Sequence, residues 1–172
     1  AIRTQVAALA AHPEAGAVYG DAQYIDAAGR PLHVLASRPY TPAALLRLAI
    51  PAQPSVFLRR ELVARLGPLN LERRYSMDTD YWARAARLAP FARTRAVIAT
   101  YRLHAASKTV GEFSGFYREW LDIATQFFAN PALPPELKCE RGAVFADIYA
   151  AMANLEARRG SLPAALRYTA YA

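Results

Sequence analysis

The run Tyr75-Ser-Met-Asp-Thr-Asp-Tyr-Trp-Ala-Arg-Ala-Ala-Arg-Leu88, followed after Ala-Pro by Phe91-Ala-Arg-Thr-Arg-Ala-Val-Ile-Ala-Thr-Tyr101, decides the fold class. In its first half Tyr81, Ala85 and Leu88 recur at helical spacing with Trp82 and Ala86 beside them. Ser76 or Asp78 is suited to cap the first turn. The second half alternates loosely, as a strand does. A helix running into a strand, among other short strands, predicts an α/β chain.

Toward the N-terminus, Ile2 to Ala11 places Ile2, Val6 and Leu9 at helical spacing and ends at His12-Pro13 and Gly16. Ala17-Val18-Tyr19 reads as a short buried strand, passing through Gly20-Asp21 to Gln23-Tyr24-Ile25-Asp26. Ala28-Gly29 is a turn, and Pro31 to Leu35 can pair back as a hairpin arm. Thr41-Pro42 opens a helix with Thr as N-cap and Pro at its first position, and Leu45, Leu46, Leu48 and Ile50 form the apolar side. Pro51 and Pro54 predict extended backbone at Ala52-Gln53. Ser55 to Leu58 then reads as a strand, and Arg60 to Leu66 as a short helix closed by Gly67-Pro68.

Toward the C-terminus, Arg102-Leu103-His104 leaves the strand for a polar loop ending near Gly111. Beyond it Phe113 to Phe128 and Pro135 to Arg159 are helical patterns with no strand between them, joined by the Pro-rich linker that starts at Asn130. Ser161 is placed to cap a further helix, and Gly160-Ser161 resembles the turn between tetratricopeptide helices. One such turn predicts helical hairpins, not an array.

Composition bounds the function classes. With 54% hydrophobic and 20% charged residues over 172 positions, the chain has enough apolar surface for a real core. The apolar runs at Ala43 to Ile50 and Val144 to Leu155, broken by Arg47 and Asp147, fall short of the roughly 20 residues a bilayer span needs. The single Cys139 permits no internal disulfide and reads as a half-buried helical thiol. The net charge of +7 comes from arginines scattered through Ala/Leu/Arg-rich helices, as a GC-rich bacterial genome favours. Without a dense basic run or a basic-aromatic stripe, it does not indicate a nucleic-acid partner. No signal peptide is visible, and the chain reads as starting within a longer gene product.

Three ordered stretches carry a resemblance: Ala17-Val-Tyr-Gly-Asp-Ala-Gln-Tyr-Ile-Asp-Ala-Ala-Gly29, Ile50-Pro-Ala-Gln-Pro-Ser-Val-Phe-Leu-Arg-Arg-Glu61, and Tyr75-Ser-Met-Asp-Thr-Asp-Tyr-Trp-Ala-Arg84 with Tyr101-Arg-Leu-His104 after it. Together they resemble the second half of family 2-like glycosyltransferases of the GT-A fold. The resemblance implies an acceptor-side, partial GT-A fold over residues 1–110, with a helical extension over 111–172. The family's nucleotide-holding half and its Asp-x-Asp metal pair would precede Ile2. An intact enzyme would therefore use a divalent metal, Mg or Mn, and a nucleotide-diphosphate sugar as donor. Its acceptor would be a glycan or a lipid-linked saccharide, in bacterial cell-surface polysaccharide assembly.

The family's later acidic motif reads Glu-Asp-x-Asp-Leu-Trp-x-Arg. Here Met77 stands for Glu and Tyr81 for Leu, while Asp78, Asp80, Trp82 and Arg84 match. By resemblance Asp78 is the general base. Inverting transfer is a single displacement, so a carboxylate within hydrogen-bond reach must take the proton of the attacking hydroxyl. A helix N-terminus suits that role, although Asp is also an ordinary N-cap. Substrate-binding candidates are Asp80, Trp82, Gln53, Ser55, Arg102 and His104, with His104 also a weak metal candidate. Asp80 could equally pair with Arg84, and Trp82 could equally pack beneath its helix. Asp21 and Asp26 read as braces of the hairpin.

The resemblance implies a cytoplasmic location, with room for attachment to the inner face of the plasma membrane and for a homodimer. A rival reading is a non-catalytic interaction module built from the helical tail, with a vestigial transferase half. A hydrolase is a weaker idea, because carboxylates two residues apart on one helix do not flank a bond as paired glycosidase acids do.

Overall fold

A computed structural model of the chain describes residues 1–47, 49–104, 107 and 113–172. The elements run α1 (Ile2–Ala11), β1 (Ala17–Ile25), β2 (Pro31–Leu35), α2 (Pro42–Leu46), a 3-10 turn (Gln53–Ser55), β3 (Phe57–Leu58), α3 (Arg60–Leu66), α4 (Met77–Ala86) and β4 (Phe91–Arg102). Among the described residues four helices follow: α5 (Phe113–Phe128), α6 (Pro135–Lys138), α7 (Arg141–Arg158) and α8 (Leu162–Thr169). The protein is thus a mixed α/β chain with a four-stranded mixed sheet and a helical C-terminal part.

β1 is the central strand. Along one edge it pairs in parallel with β4, from Ala17 opposite Phe91 to Ile25 opposite Arg102. Its other edge is shared: β3 pairs antiparallel with Ala17 and Val18, and β2 pairs antiparallel from Ala22 to Ile25. Ala17, Val18, Tyr19 and Ala22 are fully buried, as expected of a strand covered on both faces. Parallel pairing with β4 makes the two strand pieces read from the sequence one continuous strand.

β4 is longer than its partner. Between Tyr19 and Ala22 β1 advances three residues while β4 advances six, from Arg93 to Ala99. Gly20 lies at this irregularity, where a Cβ would stand 2.4 Å from Ile98 Cγ1 and 2.7 Å from the Ala96 carbonyl oxygen. The second contact is backbone and cannot turn aside. Gly20→Ala is expected to cost about 1–3 kcal/mol, seen in thermal unfolding as a midpoint lower by roughly 2–10 °C.

Several local readings give way to tertiary contacts. α1 faces the sheet through Gln5, fully buried, and not through Ile2 and Val6, which are 70% and 57% exposed. Gln5 donates from Nε2 to the Ser55 carbonyl at 2.7 Å, so a polar anchor sets the helix's rotation. The Gln53–Ser55 stretch is a 3-10 turn instead of extended strand, because Ser55 Oγ reaches back to the carbonyls of Ala52 at 2.8 Å and Gly20 at 2.9 Å. The expected Pro135 to Arg159 helix breaks at Cys139 and Glu140, and Cys139 is exposed. Neither Ser76 nor Ser161 makes a side-chain cap. Leu48, expected on the apolar side of α2, and most of the loop toward Gly111 lie outside the described residues.

Other local signals hold. Thr41 Oγ1 accepts from Ala44 N at 3.0 Å, and Gly67 ends α3 at a φ of 71°. Asp26 accepts from the backbone of Ala28 and Arg30 at 2.9 Å each, bracing the hairpin.

The hydrophobic core is where the two halves of the chain meet. Leu45 and Leu46 of α2 and Tyr81 and Trp82 of α4 pack with Ile123 and Phe127 of α5 and with Val144, Ile148 and Met152 of α7. The helices after residue 112 therefore wall the α/β part. Among the described residues no helix is long and apolar enough to cross a membrane.

Candidate functional site

An open cleft of about 1010 Å³ lies where the end of the sheet, the turn at Gln53, the first turn of α4 and one face of α5 converge. Leu35, Ile50, Leu58, Val63 and Leu69 give it an aliphatic lining. Its aromatic lining includes Tyr24 and Tyr101, whose rings meet edge-on with centroids 5.3 Å apart, together with Trp82, Phe116, Tyr117 and Trp120. Among the described residues the charged and titratable lining is sparse: Arg74, Asp78, Arg102 and His104, with the phenols of Tyr24, Tyr75, Tyr81, Tyr101 and Tyr117.

Asp78 is the only acidic residue among the described residues lining this cleft. It occupies the first turn of α4, where the helix dipole favours negative charge. Its Oδ1 accepts from the Thr79 backbone N–H at 2.7 Å, with the Thr79 hydroxyl at 3.5 Å. Burial pushes the Asp78 carboxyl above the ordinary aspartate value, and the donors of Thr79 and the Asp78 N–H offset this only in part. Desolvation thus makes the ionised form a stronger base than an aspartate in water.

Of the other residues expected from the sequence, Trp82, Gln53, Arg102 and His104 line the same cleft. Trp82 is 6% exposed and belongs to the core as well, with its indole N–H buried and unpartnered. Gln53 is exposed at the rim. Arg102 donates from Nη1 to the carbonyls of Asp26 at 3.1 Å and Ala27 at 2.9 Å, which ties the hairpin turn to the cleft wall. His104 is exposed, and its backbone N–H donates to Ser107 Oγ at 3.2 Å.

Asp80 and Ser55 do not line the cleft. Asp80 is buried and pairs with Arg84 at 3.0 Å. Arg84 also donates to the carbonyls of Leu66 at 2.9 Å and Pro68 at 3.0 Å, so this pair braces the end of α3. Ser55 is fully buried, with its hydroxyl engaged by the backbone carbonyls of Ala52 and Gly20.

No protein-family model and no curated protein sequence matches this chain. Among the described residues no three His, Cys, Asp or Glu side chains form a group that could hold a metal ion. Asp78 and Asp80 do not act as a pair, because one lines the cleft and the other pairs with Arg84. These two carboxylates do not fit a divalent-cation site.

The cleft residues that local sequence reading missed include Tyr24, Arg74 and Tyr101, and a group on α5. Phe116, Tyr117 and Trp120 complete the cleft wall. Glu119, outside the lining, accepts backbone N–H groups of Arg74, Tyr75 and Ser76. The available signal was the Gly115, Glu119 and Phe116, Trp120 spacing, which puts each pair on one helix face.

Proposed function

We propose that this chain is the acceptor-binding, proton-removing part of an inverting glycosyltransferase, within a partial GT-A fold. The supporting observation is Asp78: a partly desolvated carboxylate, the one acidic side chain among the described residues of a cleft walled by aromatic rings. Aromatic faces suit the apolar side of a pyranose, and the aliphatic lining suits an acceptor with an apolar aglycone, such as a lipid-linked saccharide.

In the reaction, an acceptor hydroxyl sits within hydrogen-bond reach of Asp78. As its oxygen bonds to the anomeric carbon, the bond from that carbon to the donor's diphosphate oxygen breaks on the opposite face. The hydroxyl proton passes to Asp78 and the nucleoside diphosphate departs with the electron pair. In this reading Arg102 and His104, at the rim, meet charge on the donor side. The reading calls for a nucleotide-diphosphate sugar with Mg or Mn, held by residues other than those of this cleft. Such donors place the work in the cytoplasm, or at the inner face of the plasma membrane for a lipid-linked acceptor. The rival reading of the tail as an independent recruiting module has less support, because α5 is engaged in the cleft wall.

The chain's two tryptophans, Trp82 and Trp120, both line the cleft. Titrating the protein with short-chain alkyl glucosides, galactosides and N-acetylhexosaminides is expected to produce a saturable change in tryptophan emission. Asp78→Asn should retain it. A flat response across all three classes counts against an acceptor cleft.

A further inference from the structure

α5 presents one face to the segment that carries Asp78. Glu119 accepts the backbone N–H of Arg74 at 2.8 Å on Oε1, and those of Tyr75 at 3.0 Å and Ser76 at 2.7 Å on Oε2. Three successive N–H groups aimed at one anion form a nest of the kind that binds phosphate or carboxylate ligands. Here the anion is the protein's own. Ser76, at the N-cap of α4, makes no side-chain cap, and its Oγ is buried without a partner. Glu119 therefore fixes, from a distant helix, the backbone of the three residues that lead into α4.

One residue on, the Trp120 indole N–H donates to Thr79 Oγ1 at 3.1 Å. The Thr79 N–H in turn holds Asp78 Oδ1 at 2.7 Å. Gly115 allows the close approach, since a Cβ there would lie 2.4 Å from the Tyr75 ring. Arg73, buried and ion-paired with Asp122, ties the same segment at its start.

The geometry points to Glu119 and Trp120 as positioning residues for Asp78, so that the helical tail is the clamp that fixes the base. Its catalytic meaning rests on Asp78 being that base, but the clamp can be measured without any sugar transfer. The chain, labelled at its aspartate carboxyl carbons, is titrated by NMR as parent, Glu119→Gln and Trp120→Phe, with thermal melts beside each. Glu119→Gln keeps the volume but turns an N–H donor toward the nest. Trp120→Phe changes no charge, so it separates release of the clamp from loss of a neighbouring negative charge. Arg74, Arg102 and His104, the other charged or titratable groups at the cleft beside its phenols among the described residues, are the same in all three proteins.

Release lets water onto the carboxylate, so the Asp78 midpoint is expected to fall in both variants, by about half a pH unit or more in Glu119→Gln. If Glu119→Gln fails to fold, Trp120→Phe alone decides. Melting points that drop while the Asp78 midpoint stays fixed in Trp120→Phe would reduce the contacts to fold support and overturn the proposal, as would a shift confined to Glu119→Gln. In the chain joined to a donor-holding half, each variant should lower kcat roughly tenfold or more with acceptor KM little changed. Moved midpoints with unmoved kcat would leave the clamp standing and fault the transferase reading.

Discussion

Asp78→Asn is expected to lower sugar transfer by about 10²–10⁴-fold while making the fold more resistant to heat at neutral pH. The two effects have one origin. Asp78 lies in a cleft that withdraws water from its carboxylate, and the donors of Thr79 only partly replace that hydration. A desolvated carboxylate accepts a proton more readily, and the same desolvation penalises the folded state whenever the group is charged. Asn keeps the shape and removes both. The transfer arm is read as nucleoside diphosphate release in the presence of an alkyl glycoside, with the chain joined to a donor-holding half. Unchanged turnover would remove Asp78 from its role.

The stability arm has a definite sign. The folded pKa of Asp78 is raised, so over the window above the ordinary aspartate value the folded chain holds a proton that the unfolded chain has released. Folding stability falls as pH rises through that window, and the full penalty stands above the folded pKa. Asp78→Asn should therefore stabilise by about 0.5–2 kcal/mol at pH 7, and the gain should vanish below roughly pH 4. Asp21 supplies the opposite case. Its burial opposes charge, but the Ser37 hydroxyl and N–H, at 2.6 and 2.8 Å, and the nearby Arg93 outweigh it and hold the carboxyl below its usual value. Asp21→Asn should lose stability above the ordinary aspartate range, and that loss should fade as the solution is acidified. Melts of both variants at pH 7 and pH 3.5 check the two signs together.

What was legible in the sequence follows the range of the forces involved. Caps, turn glycines and helical periods act within a few residues, so the hairpin, the Thr41 cap, the Gly67 stop and the α4 and β4 boundaries could be read locally. The union of the two β1 pieces depends on pairing with a strand some 70 residues later, and the rotation of α1 on a hydrogen bond from Gln5 to Ser55. Neither leaves a local trace. The site divides in the same way. Asp78, Trp82, Gln53, Arg102 and His104 came from a resemblance, and they do share a cleft. Asp80 sits two residues from Asp78, but residues two apart do not face each other on a helix, and Arg84 one turn on was the better partner. Glu119 had no such prompt, because its partners are backbone N–H groups more than forty positions away.

Trp82 is expected to show the largest stability effect, because one side chain serves both core and cleft. It is 6% exposed and packs in the cluster that joins α2, α4, α5 and α7. Trp82→Ala should cost about 3–5 kcal/mol, a large part of the total stability of a chain this size, and thermal melts should show it largely unfolded or shifted by roughly 10 °C or more. Trp82→Phe is the sharper probe. It keeps an aromatic plane and gives up some volume, but it also removes an indole N–H that is buried without a partner, an omission that costs about 1–3 kcal/mol in a folded interior. The two terms oppose each other, so the melting point should move by only a few degrees. Because that nitrogen is closed off from solvent, what Trp82 offers a bound sugar is ring surface and not its N–H. If an acceptor sugar packs on that ring, Trp82→Phe, with its smaller face, should weaken alkyl glycoside binding by roughly 3–10-fold, measured by calorimetry because the variant has lost one of its two tryptophans. Equal affinity in the Phe variant would return Trp82 to a packing role, and an Ala variant that melts with the parent would contradict its place in the core.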